Sequence, residues 1–227
     1  MSRNKRGHYQ VDNKPVAVND KLENLVSGLG QVSHDKSVSN RYSFRELPRD
    51  QLDNAYRSDW VAGKAVDIVA DDATSEWRSW NAEAEQITAL ESSEKRLGIL
   101  KKTQAALKKA RLYGGSCIVI GIKGDTNLLR PLDPSKVRQG GIEYLNVVTR
   151  HELSYSEIDW DIASPYFGTP KEYTYSNPNG QAIQIHPSRV VRFIGRELPS
   201  RQTAGYNGCG DSIIQRIDDA VKGAALS

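Results

Sequence analysis

One stretch, Lys95 to Ile122, restricts the fold of this chain more than any other: a basic helix-forming run meets two glycines and turns at once into an apolar strand. Leu97, Leu100, Gln104, Leu107 and Arg111 recur at steps of three and four, which puts them on one side of a helix and predicts that side as buried. Lys95, Lys102 and Lys109, with Lys101 and Lys108 beside them, fall on the other side and predict a cationic outer face. Gly114-Gly115 follows Tyr113, and glycine ends helices because it reaches positive φ without a steric penalty. Cys117 to Ile120 then runs without a polar break, as in a strand covered on both faces. Helix, turn and strand are therefore expected to form the folding core of an α+β domain.

With 227 residues the chain can bury one core and still carry extensions, and a charged fraction of 26% predicts that part of it is arm or loop. No window approaches the roughly 20 apolar residues of a membrane span, and Met1 to Arg6 has no apolar segment behind it, so no membrane partner is expected. The net charge of +3 does not by itself argue for nucleic acid; its placement matters more. Cys117 and Cys209 stand without a CxxC or a Cys/His cluster, so neither a disulfide framework nor a zinc site is expected. Asp159-Trp160-Asp161 lacks further ligands at metal spacing, and no cofactor fingerprint is present, so the expectation is of no metal and no cofactor.

Taken in order, residues 1–45 read as a flexible, disordered arm in which Gly28 and Gly30 break the short apolar patch Leu22, Leu25, Val26 and Leu29; Asp20 to Leu29 could alternatively form a short amphipathic helix. Residues 46–204 read as the α+β domain. Asp50 is expected to cap one helix that carries Leu52, Tyr56, Trp60, Gly63 and Val66 and ends near Asp71-Asp72. Trp77 and Trp80 read as a core plug, with a stacking surface as the functional alternative. Charges are mostly acidic from Asp71 to Glu94 and wholly basic from Lys95 to Arg111. That is a solvated face by default, or a way for the acidic end of one subunit to meet the basic end of the next. Further on, Ile142 to Val148 predicts a strand, Asn177-Pro178-Asn179-Gly180 a hairpin turn between two alternating strands, and Val190 to Gly195 another strand. Residues 205–227 read as a glycine hinge (Gly205, Gly208, Gly210). A helix follows, capped by Asp211 or Ser212, carrying Ile213, Ile214, Ile217 and Val221 and still running at Ser227.

The chemistry is sparse. Glycines ahead of a helix N-terminus can cradle a phosphate, but the P-loop lysine is missing and a hinge is the plainer reading. His186-Pro187-Ser188 has the His-x-Ser form that some phosphodiesterases use in pairs. His151-Glu152-Leu153 does not supply the second copy, because no hydroxyl stands two residues after the histidine. No catalytic residue is assigned from spacing, and the expectation is that the chain is not an enzyme.

The order of several segments resembles the N-terminal wing region of tailed-bacteriophage portal proteins, in a phage-associated branch formerly of unknown function. Those segments are Arg57 to Asp67, Trp77-Arg78-Ser79-Trp80, Ala110-Arg111-Leu112-Tyr113-Gly114-Gly115-Ser116, Leu132-Asp133-Pro134, Phe167 to Tyr173, Ile185-His186-Pro187-Ser188-Arg189 with Val190 to Phe193, and Gly210 to Gln215. The likeness covers roughly residues 44–222. It implies a homo-oligomeric ring, usually of twelve subunits, at one capsid vertex, with terminase, capsid and head-tail adaptor proteins and non-specifically held double-stranded DNA as partners. It implies residence in the virion after assembly in the host cytoplasm, and a C-terminal helix leading to a stem.

On that reading Lys95, Lys101, Lys102, Lys108 and Lys109 serve contact with DNA or a neighbouring subunit, since lysines confer charge without base reading. His186, Arg189 and Arg192 are expected in an inter-subunit ion pair, and Gly205, Gly208 and Gly210 as a hinge between wing and stem helix. Two rivals stand beside this one. Some relatives of the family are associated with a cyclic-nucleotide phosphodiesterase that counters bacterial immunity, which His186-Pro187-Ser188 keeps open. A DNA-binding accessory factor would use the lysine face instead.

Overall fold

The computed structural model describes residues 9–11, 14–16, 46–177, 179–199, 202, 204–206 and 208–218. The chain divides into two compact units, residues 1–45 and 46–227. In the first, β1 (Tyr9–Val11) and β2 (Lys14–Val16) form an antiparallel pair with Tyr9 opposite Val16, where the polar composition predicts a disordered arm. The apolar patch at 20–29 lies outside the described residues.

The second unit is an α+β fold. Four helices, α1 (Arg49–Ser58), α2 (Trp60–Ser75), α3 (Ala84–Leu97) and α4 (Ile99–Tyr113), precede β3 (Gly115–Ile122). Then come β4 (Ile142–Thr149), β5 (Leu153–Tyr155), β6 (Tyr173–Ser176), β7 (Ala182–Ile185) and β8 (Val190–Ile194). β3 is the centre of an antiparallel sheet ordered β4-β3-β8, with Cys117 opposite both Val148 and Arg192. A second antiparallel sheet, β5-β6-β7, contains the predicted hairpin.

Alternation along β3 sends its side chains to two different cores. Ile118 packs with Leu97 and Ala106 of the helices and with Leu145, while Cys117 and Val119 pack with Leu153, Tyr173 and Ile185 of the second sheet. The central sheet is thus covered by α4 on one face and by β5-β6-β7 on the other, as its unbroken apolar run predicts. A third cluster joins Leu47, Leu52, Ala62, Val66 and Leu112 to Ile214, which sits in the short helical segment 214–218. Ser212 rather than Asp211 caps that segment, its Oγ accepting from Ile214 N at 3.1 Å. Val221 lies outside the described residues.

Two of the expected helices break. The single helix predicted from Asp50 ends at Ser58, because Asp59 is extended and its Oδ1 accepts from both Val61 N and Ala62 N at 2.8 Å, capping a new helix. The break changes the helical phase, so Trp60 emerges 78% exposed instead of joining Leu52 in the core. The basic run breaks likewise at Gly98, which takes φ 63°. Lys95 belongs to the last turn of α3, and the buried face of α4 is Ala106, Ala110 and Leu112, with Leu100 39% exposed. Small residues at 106 and 110 let the helix approach the sheet closely, and Ser116 Oγ donates to Ala106 O at 2.6 Å. Among the described residues no helix is long and apolar enough to cross a membrane.

Candidate functional site

Three separate turns of chain meet at the end of α4. Gly114, at φ 87°, ends the helix, and its carbonyl accepts from Gly195 N and Gly210 N, both at 2.9 Å. Arg196 and Asp211 exchange backbone hydrogen bonds of 3.0 and 2.8 Å, and Ile213 N donates to Arg111 O at 2.9 Å. There is no room for side chains here. A Cβ on Gly114 would run into Gly210 O, one on Gly210 into Arg196 O, and one on Gly195 would lie 2.5 Å from Ala110 O. Of the expected hinge glycines, Gly208 and Gly210 are buried, and the Gly208 carbonyl accepts from Arg192 Nη2. Gly205 alone of the three stands exposed with open space where a Cβ would go. The cysteines are buried at the same junction. Burial pushes the Cys117 thiol up to about 12 and raises that of Cys209.

The predicted cationic face divides. Lys108 Nζ sits 2.8 Å from Asp71 and 3.4 Å from Asp67, and the hydrogen bond to Asp71 raises its pKa. Lys109 Nζ donates to Val147 O at 3.4 Å. These two lysines fasten α4 to α2 and to β4. Lys95 and Lys101 are exposed and Lys102 is half-buried, and none of the three has an ion pair among the described residues.

The proposed inter-subunit group is also committed inside the chain. Arg189 is 1% exposed; its Nε donates to Arg130 O at 2.7 Å and its Nη2 pairs with Asp125. His186 Nδ1 lies 2.8 Å from Ser188 Oγ and accepts from Ser188 N at 3.2 Å, so the His-x-Ser sequence forms the cap of a 3-10 turn. Burial lowers the His186 pKa, and Arg189 lowers it further. Trp77 and Trp80 are half-buried on either side of Arg78, whose Cζ stands 4.8 and 4.7 Å from the two rings and whose Nε donates to Glu94 at 2.6 Å. They clamp an arginine instead of plugging the core. Asp159 and Asp161 accept from backbone N–H groups of their own loop, at 2.9 and 3.0 Å.

Spacing did not single out Arg150 and set His151 aside as a second His-x-Ser copy; the two line a polar cleft of about 330 Å³ with Glu46, Glu152 and Tyr206. Arg150 is 7% exposed, donates from Nη2 to Glu46 at 2.7 Å and lies 5.0 Å from the Tyr206 ring centroid. His151 meets Tyr113 edge-on at 5.4 Å, and Tyr113 donates to Asp53 at 2.5 Å. Burial, then the charges of Arg150 and Arg49, depresses the His151 pKa, which keeps the imidazole neutral at pH 7. A neutral imidazole can accept a proton, and a neighbouring guanidinium can hold an anion. The sequence signal was weak because the partners, Glu46, Tyr113 and Tyr206, come from three distant segments.

The phage portal protein family matches residues 50–225, and the chain belongs to that family. It is 44% identical over 207 residues to the anti-CBASS protein Acb1 of Caulobacter sp. (strain RHG1) and 36% identical over 208 residues to that of Sphingomonas paeninsulae. Each alignment covers 90% of this chain and 33% of the relative, so the chain spans about a third of the length of these curated proteins. An uncharacterized protein of Haemophilus influenzae is 25% identical over 176 residues, 76% of this chain and 38% of that one. Among solved structures, the neck of an empty GTA particle computed with C6 symmetry aligns at a TM-score of 0.47 and 14% identity, over 82% of this chain and 46% of that one. The expectation that the chain is not an enzyme is corrected here: chains 44% and 36% identical to it carry the name of an anti-defence protein.

Proposed function

We propose that this chain is the portal-type body of a phage anti-defence protein that acts against a cyclic-nucleotide signal. The observation that carries the reading is the identity to anti-CBASS proteins over 90% of the chain. The cleft supports it chemically. His151, neutral at pH 7, stands beside the Arg150 guanidinium, the proton acceptor and cation that a phosphodiester requires. The test is loss of cyclic oligonucleotide in the presence of the purified protein, read by chromatography. Turnover that falls by about a hundredfold or more in His151→Ala and holds in His186→Ala is the expected result. Absence of turnover in the unaltered protein contradicts the reading, and loss in His186→Ala alone moves the chemistry to the 3-10 turn.

A second reading is favoured by the family match across residues 50–225. In it the same body is one wedge of a ring at the portal vertex of the virion, passing double-stranded DNA during packaging and ejection and meeting terminase, capsid and head-tail adaptor. Particle images of the purified protein test it: rings with a central hole support it, and a compact monomer contradicts it.

A further inference from the structure

We propose that the groove at the α3–α4 junction receives the acidic first turn of α3 from a second copy of this chain. The proposal rests on the ring reading and specifies which surfaces would close the ring. The groove encloses about 660 Å³, is lined by Trp77, Leu97 and Leu100, and is edged by Lys95, Lys101 and Lys102. Its other charged groups are accounted for. Glu94 is held by Arg78, and the Arg96 guanidinium donates to Ile142 O at 3.2 Å. Against the three lysines only Glu91 remains as an uncommitted carboxylate in the lining.

The contrast with Lys108 and Lys109 makes this edge distinctive. Those lysines have found acceptors within the chain, whereas the ammonium groups around Leu100 have no ion-pair partner among the described residues. An apolar floor with an unpaired cationic rim fits an acidic segment that also offers apolar side chains. The N-terminal turn of α3 has that chemistry: Glu83 and Glu85 are exposed without ion pairs among the described residues, with Ile87 and the 38%-exposed Leu90 behind them.

The two surfaces cannot meet within one molecule. They lie at opposite ends of α3, whose 14 residues span about 21 Å. A contact between different surfaces of identical chains is heterologous, and it propagates until rotation closes it into a ring or leaves a filament. Acid at one end of a helix and base at the other set the direction in which copies add.

Sedimentation of the full chain with a charge-swap pair tests this. K95E/K101E/K102E gives an acidic groove and E83K/E85K a basic first turn. Each alone is expected to associate at least about tenfold more weakly than the unaltered chain, and an equimolar mixture is expected to regain assembly. Circular dichroism and melting of each variant establish that it is folded; if a variant is not, K101E and E85K form the smaller pair with the same expectation. Variants that assemble as well as the unaltered chain overturn the proposal and leave the ring reading standing. An unaltered chain that stays monomeric overturns both. A mixture that fails to reassemble, with the lysine variant losing affinity for a single-stranded oligonucleotide, assigns the groove to nucleic acid and overturns the docking of a second copy.

Discussion

The glycine junction and the outer helical layer stand at opposite extremes of the same fold. At the junction, the end of α4, the turn after β8 and segment 208–212 approach so closely that three glycines leave no space for a methyl group. On the helical layer, Trp60, Ile68 and Val69 of α2 and Leu100 of α4 remain 78%, 60%, 49% and 39% exposed. Tight contact between hydrogen-bonded backbone segments is what a single chain builds for its own stability. Large apolar side chains left in water on these two helices, with Lys101 and Lys102 beside Leu100 lacking an ion pair among the described residues, are what the proposed contact would cover. On the proposal above, that difference separates the part of the molecule that folds from the part that would associate.

Substitutions at the junction should break the fold and those on the layer should leave it intact. Gly114→Ala meets both a left-handed backbone and the Gly210 carbonyl, and it should lower the free energy of unfolding by about 4 kcal/mol in urea titration. Arg189→Ala should cost about 3 kcal/mol, because it removes a guanidinium that is 1% exposed and leaves Asp125 and the Arg130 carbonyl without their donor.

A smaller effect depends on pH. The folded pKa of His151 lies below its ordinary value, so the unfolded chain takes up the proton first and stability falls as pH drops below about 6.5 toward the folded value. Thermal melts from pH 7.5 to 5.5 should show this slope, and His151→Gln should flatten it. The smallest expected change is at Leu100→Ser, which should shift stability by no more than about 0.5 kcal/mol while weakening association.

Strands β3, β4, β6, β7 and β8 were legible in the sequence because alternation and turn chemistry are local, whereas the three-residue strands β1, β2 and β5 are too short to show a period. The uninterrupted Cys117 to Ile120 run, the Asn177 to Gly180 turn and the Gly114 cap needed no distant partner to be read. The helix breaks were harder. Asp59 and Gly98 sit inside otherwise continuous helical spacing, and each shifted the buried face, exposing Trp60 and Leu100. The roles of charged residues were least legible, since they depend on what another segment brings. Lys108 pairs with acids 37 or more positions away, and Arg189 with Asp125 64 positions away. Gly208 and Gly210 read as a hinge because composition allows freedom and close packing alike, and the close approach of Gly210 to the Arg196 carbonyl was not legible without the fold.

Amide hydrogen exchange resolved to single residues tests the separation of folding and association most directly, on the unaltered chain and on K95E/K101E/K102E. The N–H groups of Gly195, Gly210 and Ile213 should exchange as slowly as those of β3 in both proteins, and the amides of the first turn of α3 should gain protection only where copies associate. Rapid exchange at Gly210 and Ile213 in the unaltered chain would mean that this segment swings as a free link, and the account of a locked junction would be wrong.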